Sequence, residues 1–193
     1  MTFLNQLKNN GNNLDYLYRQ LKFLGIDADI LDEYQDILLE INAKSNRFNM
    51  LKVLLAQGVN HSSCKWDEIF HTVMFQDIEM LEKMITIENI NLRDERERTP
   101  FLLAVEIGSL EKARLLYENG ADPFLLSKGA KSALINAVEN NDVPMLKWLL
   151  SLGLDIDTST YFLGTPIHVS SEINSMECVE YLLTKNAQIE YLW

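Results

Sequence analysis

Two cysteines and four prolines in 193 residues leave little room for a disulfide scaffold or a proline-rich linker. Cys64 and Cys178 are too far apart in sequence to form a motif, and small apolar thiols in a reduced compartment are the expectation. Long hydrophobic runs are missing, so no segment reaches the length of a membrane span. The N-terminal M-T-F-L-N-Q-L-K-N-N-G has no basic stretch followed by an apolar one, which argues against a secretory signal and for a cytoplasmic protein. Basic charge is short as well: 17 Lys and Arg stand against 28 Asp and Glu, a formal net charge of −11. The excess is even, with 10 basic and 15 acidic residues over 1–96 and 7 and 13 over 97–193. No clustered cations exist to neutralise phosphates, so nucleic acid is not an expected partner. An acidic surface of this kind either keeps the chain solvated or steers a basic protein towards it.

Catalytic constellations are as sparse. No glycine-rich phosphate loop and no G-x-S-x-G elbow occurs. His61 and Cys64 stand three apart, but no second ligand pair follows at zinc-site spacing. Asp27, Asp29, Asp32, Glu33 and Asp36 form the densest acidic cluster, without the glycine and closing glutamate of a calcium loop. Acids facing solvent at a helix start explain it. The reading is a chain that is not an enzyme and takes neither cofactor nor metal.

What the sequence does have is a period. Thr99–Asp122 reads T-P-F-L-L-A-V-E-I-G-S-L-E-K-A-R-L-L-Y-E-N-G-A-D, and a similar stretch opens at Ser132 and again at Thr165, 33 residues apart each time. Within it, Leu110, Ala113, Leu116 and Tyr117 share one helical face and are followed by Gly120. The same pattern starts at Leu14, Phe48, Ile78, Val143 and Met176, which gives spacings of 34, 30, 32, 33 and 33. A fixed period of this length is the mark of a solenoid of helix pairs. Gly58, Gly120, Gly153 and Asn186 sit where a helix must stop with positive φ, whereas Glu88 does not suit that role and predicts a different loop. Thr99-Pro100 and Thr165-Pro166 start first helices, threonine capping and proline tolerated in the first turn; Ser132 keeps the cap. Ala104, Ala137 and Ser170 keep one helix position small, so that a neighbour can approach closely.

The T-P-x-x-x-A opening, the L-L-x-x-G-A-D close and the period resemble the ankyrin repeat. The resemblance implies an all-α ankyrin-repeat solenoid of about six helix pairs, the best repeats being 93–126, 127–159 and 160–193. Residues 1–60 read as a divergent helical cap of degenerate repeats ahead of a stack over 61–193. In T-P-I-H, His168 matches the family histidine that braces the turns of adjacent repeats.

The family's variable positions, carried onto this sequence, mark a partner surface. They fall at Arg93, Glu95, Arg96, Arg98, Glu106 and Ile107, then Lys128, Lys131, Glu139 and Asn140, then Tyr161, Phe162, Glu172 and Ile173. The charged tip of residues 94–98 is either a solvated turn or a contact; Tyr161-Phe162 either meets a partner or packs beneath Tyr191–Trp193. The implied function is protein binding, by a chain monomeric when free. Small acidic ankyrin proteins are similar to immunity proteins that neutralise toxic, often basic, enzymes, so a stoichiometric inhibitor is the first reading. A scaffold that bridges two partners is the alternative.

Overall fold

In a computed structural model, residues 67–160 and 164–190 are described. The first two expected helix pairs, the boundary at residue 60, His61, Cys64, the acidic cluster over 27–36, Tyr161, Phe162 and Tyr191–Trp193 lie outside them.

Eight helices form the described stack: α1 (Glu68–Phe75), α2 (Ile78–Met84), α3 (Pro100–Glu106), α4 (Leu110–Glu118), α5 (Ala133–Glu139), α6 (Val143–Ser151), α7 (Pro166–Glu172) and α8 (Met176–Thr184). They pack as four hairpins, α1 on α2 through α7 on α8. First helices line up as α1, α3, α5 and α7, while α2 packs on α4 and α6 on α8. At seven to nine residues each, none is long enough to be stable alone in water. Stacking supplies the stability instead. Every residue of α3 is buried, and Phe70, Phe101, Leu102, Leu103, Leu116, Leu134, Ile135 and Met145 form the inner layer. Burying each such side chain is worth about 1.5–3 kcal/mol. Ala104, Ala137 and Ser170 are all fully buried, as small residues at a close approach must be.

The caps follow the sequence closely. Thr99 Oγ1 accepts from the Leu102 amide at 3.2 Å and Ser132 Oγ from that of Ile135 at 3.5 Å. Thr165 differs: its hydroxyl meets His168 Nδ1 at 2.7 Å, and His168 Nε2 meets the Ile189 carbonyl at 3.0 Å. The histidine thus ties the start of α7 to the loop after α8. As expected, Gly120, Gly153 and Asn186 have φ of +95°, +89° and +60°. The α2 hairpin closes otherwise. Asn89 Nδ2 donates to the Met84 carbonyl at 2.7 Å and its Oδ1 accepts from the Thr86 amide at 2.8 Å, so α2 ends early in an extended Ile85.

A Cβ at Gly153 would meet nothing within 4 Å, so backbone conformation is the only obstacle to a side chain there. Gly153→Val is expected to cost about 1–2 kcal/mol, because a β-branched residue resists positive φ. A melting curve unchanged by the substitution would show that the turn tolerates a left-handed valine.

The helical ruler needs correction at four positions. Ala113, Leu116, Met145, Leu146, Leu149 and Leu182 are buried as read, but Met176 is 61% exposed, Leu183 46%, and Ile78 and Tyr117 39% each. Cys178, two places after Met176, takes the buried position. Burial pushes its thiol up to about 11, with smaller contributions from Asp142 and Glu177, so it stays protonated and unreactive.

Candidate partner surface

Between the helix pairs, the chain makes five-residue tips at a strict interval. The amide of Asp94 donates to the Arg98 carbonyl, that of Ser127 to Lys131 and that of Thr160 to Gly164, each at 3.0 Å. The last two close as isolated antiparallel bridges. Asp94 shapes the first tip: its Oδ1 accepts from the amides of Arg96 and Arg98, both at 2.9 Å. Glu97 lies inside that tip with φ of +59°.

The first two tips are bonded to each other. The Lys128 amide donates to the Arg96 carbonyl at 3.0 Å, and Arg93 donates from Nη1 to Glu97 O at 3.0 Å and Leu126 O at 2.9 Å. Behind the tips, Asn91 Oδ1 accepts from the Asp122 amide and Asp157 Oδ1 from that of Gln188, both at 2.9 Å. At the matching place between these two, Phe124 has no side-chain oxygen to offer and is 58% exposed. These bonds fix the spacing of the tips before any partner arrives, so less ordering is left for binding to do.

The charged tip over 94–98 divides into surface and core. Glu95 is exposed, Arg96 half-buried and Arg93 exposed. Arg98 and Glu106 are not on the surface, which corrects their reading as partner contacts. Arg98 is 3% exposed and Glu106 5%. The guanidinium holds Asp94 Oδ2 through Nη2 at 2.7 Å and Nε at 2.8 Å, and Glu106 Oε2 through Nη1 at 2.8 Å. Burial alone lowers the Arg98 pKa, but the Glu106 and Asp94 carboxylates outweigh it and the net shift is upward. Lys131, on the next tip, continues the chain of alternating charges with Glu106 Oε1 at 3.9 Å and Glu139 Oε2 at 2.6 Å. Lys131 is therefore a half-buried bridge between repeats, not a free ammonium.

Asn140 is exposed, yet its amide nitrogen reaches back to the Val105 and Glu106 carbonyls at 3.2 and 2.8 Å. Ile107 is half-buried; Lys128, Glu139, Glu172 and Ile173 are exposed. Brought together on adjacent tips are Arg93, Glu95, Arg96 and Lys128. Glu139, Asn140, Glu172 and Ile173 follow at the ends of α5 and α7.

Sequence reasoning missed three contributors. Lys112 stands in the position held by Met145 and Cys178, and its ammonium donates to the Val73 and Gln76 carbonyls at 2.7 and 2.6 Å, the end of α1. Burial lowers its pKa, partly offset by Asp77. Asn136 is 1% exposed on α5, where the matching residues are Leu103 and Val169. Its side-chain oxygen receives no hydrogen bond. The third is a row of rings on the second helices: Trp148 lies 6.0 Å from both Phe101 and Tyr117 with the Arg114 guanidinium 5.4 Å from its centre, and Lys147 and Lys185 flank Tyr181 at 5.1 and 5.7 Å. Among the described residues no helix is long and apolar enough to cross a membrane.

Residues 69–160 match the family model described as ankyrin repeats, in three copies. Over 100 residues the chain is 31% identical to the B-cell lymphoma 3 protein homolog of Mus musculus, covering 51% of this chain and 22% of the relative. It is 32% identical over 109 residues to protein glp-1 of Caenorhabditis elegans, covering 53% of this chain and 8% of the relative. A putative ankyrin repeat protein of Acanthamoeba polyphaga mimivirus is 29% identical over 90 residues, 47% of this chain and 27% of the relative. The chain spans less than a third of the length of each of these three relatives.

Proposed function

The chain belongs to the ankyrin-repeat family over residues 69–160, and from that premise we propose that it acts by binding another protein along its row of tips. The observation that carries this reading is the bonding between the first two tips. Lys128 N to Arg96 O and Arg93 Nη1 to Leu126 O hold Arg93, Glu95, Arg96 and Lys128 in one pre-arranged group. Side chains presented on a rigid frame lose little freedom on binding, which favours a tight and specific complex.

Within this class the function is stoichiometric inhibition, with a basic enzyme as the bound partner. The net charge of −11 supports it by complementarity. The partner is to be captured from the native cell and titrated. A one-to-one loss of its activity, with association slowing markedly from low to physiological salt, is the expected outcome. A partner that stays active while a second protein joins the complex would replace inhibition by scaffolding. An association rate indifferent to salt would remove charge from the recognition.

A further inference from the structure

Each repeat in the stack shows what its outward face demands of the repeat that follows. The carbonyls of Val73, Val105 and Val138, one per first helix, accept side-chain hydrogen bonds from the next repeat: from Lys112, Asn140 and Ser175 at 2.7, 3.2 and 3.0 Å. Glu106 takes the Lys131 ammonium of the next tip at 3.9 Å. Arg114 and Tyr117 on α4 reach Trp148 on α6, and Lys147 on α6 reaches Tyr181 on α8. Leu102 and Ile135 complete these faces, both fully buried.

The equivalent face of α7 and α8 consists of His168, Ser171, Glu172, Met176, Glu180 and Leu183, each 33 residues beyond its counterpart in the preceding repeat. Ser171 replaces Val138, and Glu180 stands where Arg114 and Lys147 carry cations. Glu172 and Glu180 are exposed and form no ion pair among the described residues. Between them Met176 is 61% exposed and Leu183 46%, whereas Leu110 and Val143, the counterparts of Met176, are half-buried. Met176, Glu180 and Leu183 are spaced i, i+4, i+7, one stripe along α8.

We infer that this face binds an amphipathic helix of a partner protein, apolar on one side and flanked by Lys or Arg. Its apolar side covers Met176 and Leu183. Its cations meet Glu172, as Lys131 meets Glu106, and Glu180. One of its donors can serve the Ser171 carbonyl, as Lys112 serves that of Val73. The charge selects this occupant. A second copy of the chain would bring two pairs of unpaired glutamates together, which is repulsive. An acidic helix meets the same objection. The inference rests on the reading of the chain as a protein-binding module, but not on the tips or on inhibition.

The probe is a fluorescein-labelled peptide of leucine and lysine, its leucines at helical spacing, titrated against the full chain by anisotropy. Met176→Ser with Leu183→Ser, and separately Glu172→Gln with Glu180→Gln, are each expected to weaken binding at least tenfold. Ile87→Ser, at a residue 96% exposed in the loop after α2, serves as the control and is expected to change nothing. All the changed side chains are exposed, and melting curves confirm that the variants fold. Equal affinity for every variant would overturn the inference, since it would reduce the binding to unspecific attraction by an acidic protein. So would equal affinity for a peptide with glutamate in place of lysine. Self-association abolished by Met176→Ser would give the face to a second copy and overturn the inference. Failure here leaves the tip surface untouched, because none of these substitutions alters Arg93, Glu95, Arg96 or Lys128.

Discussion

Replacing Arg98 by methionine is expected to cost about 3–5 kcal/mol of stability, the range for removing one partner of a buried charge cluster. The substitution keeps an unbranched apolar stem but takes the guanidinium away from two carboxylates, Asp94 and Glu106, whose side chains are 11% and 6% exposed. At about 2–4 °C per kcal/mol for a chain of this size, the melting temperature should fall by on the order of 10 °C. The cluster is not thereby a source of net stability, since its formation takes three charges out of water. Asp94→Asn and Glu106→Gln added to Arg98→Met should restore most of the loss. An asparagine in place of Asp94 would still offer an oxygen to the amides of residues 96 and 98, which now bond Asp94 Oδ1 at 2.9 Å. A single variant that melts like the parent would show that the tip does not depend on these charges.

The second large effect has the opposite sign. Asn136→Leu is expected to raise stability by about 1–3 kcal/mol, because a buried carbonyl oxygen without a donor carries its desolvation cost uncompensated. The residue is 1% exposed, its Oδ1 receives no hydrogen bond, and Leu103 occupies the matching place one repeat earlier. Leucine has the branching of asparagine, so the shape changes little. Thermal melts of parent and variant decide it. A variant that melts lower would mean that the amide is held by an interaction worth more than its desolvation.

These two residues also show where the sequence can be read and where it cannot. The period places the tips, the caps and the positive-φ stops, because each depends on local chemistry that recurs every 33 residues: Thr99 and Ser132 cap, and Gly120, Gly153 and Asn186 turn. Arg98 reads as part of a solvated D-E-R-E-R turn because its second partner, Glu106, is eight residues away at the far end of α3. Only the folded hairpin brings them together. A hint exists in the recurrence of a cation eight residues before a glutamate, Arg98 to Glu106 and Lys131 to Glu139. Met176 fits the apolar ruler as well as Leu110 does; whether a neighbour covers it is a property of the stack, not of helical spacing. Lys112 escapes notice because a lysine in an apolar slot reads as a solvated residue, although its stem is long enough to carry the ammonium to the end of α1.

The central claim is that the bonded tips recognise a protein while the helices behind them carry the stability. The measurement that tests it most directly is the affinity of the captured partner for the variant Glu95→Ala, Arg96→Ala, Lys128→Ala, set beside that variant's melting temperature. The backbone bond from Lys128 to Arg96 survives these truncations, so the frame stays intact. The expected result is affinity reduced at least about tenfold, roughly 1.4 kcal/mol, with melting nearly unchanged. Unaltered affinity in a variant that melts like the parent would contradict the account.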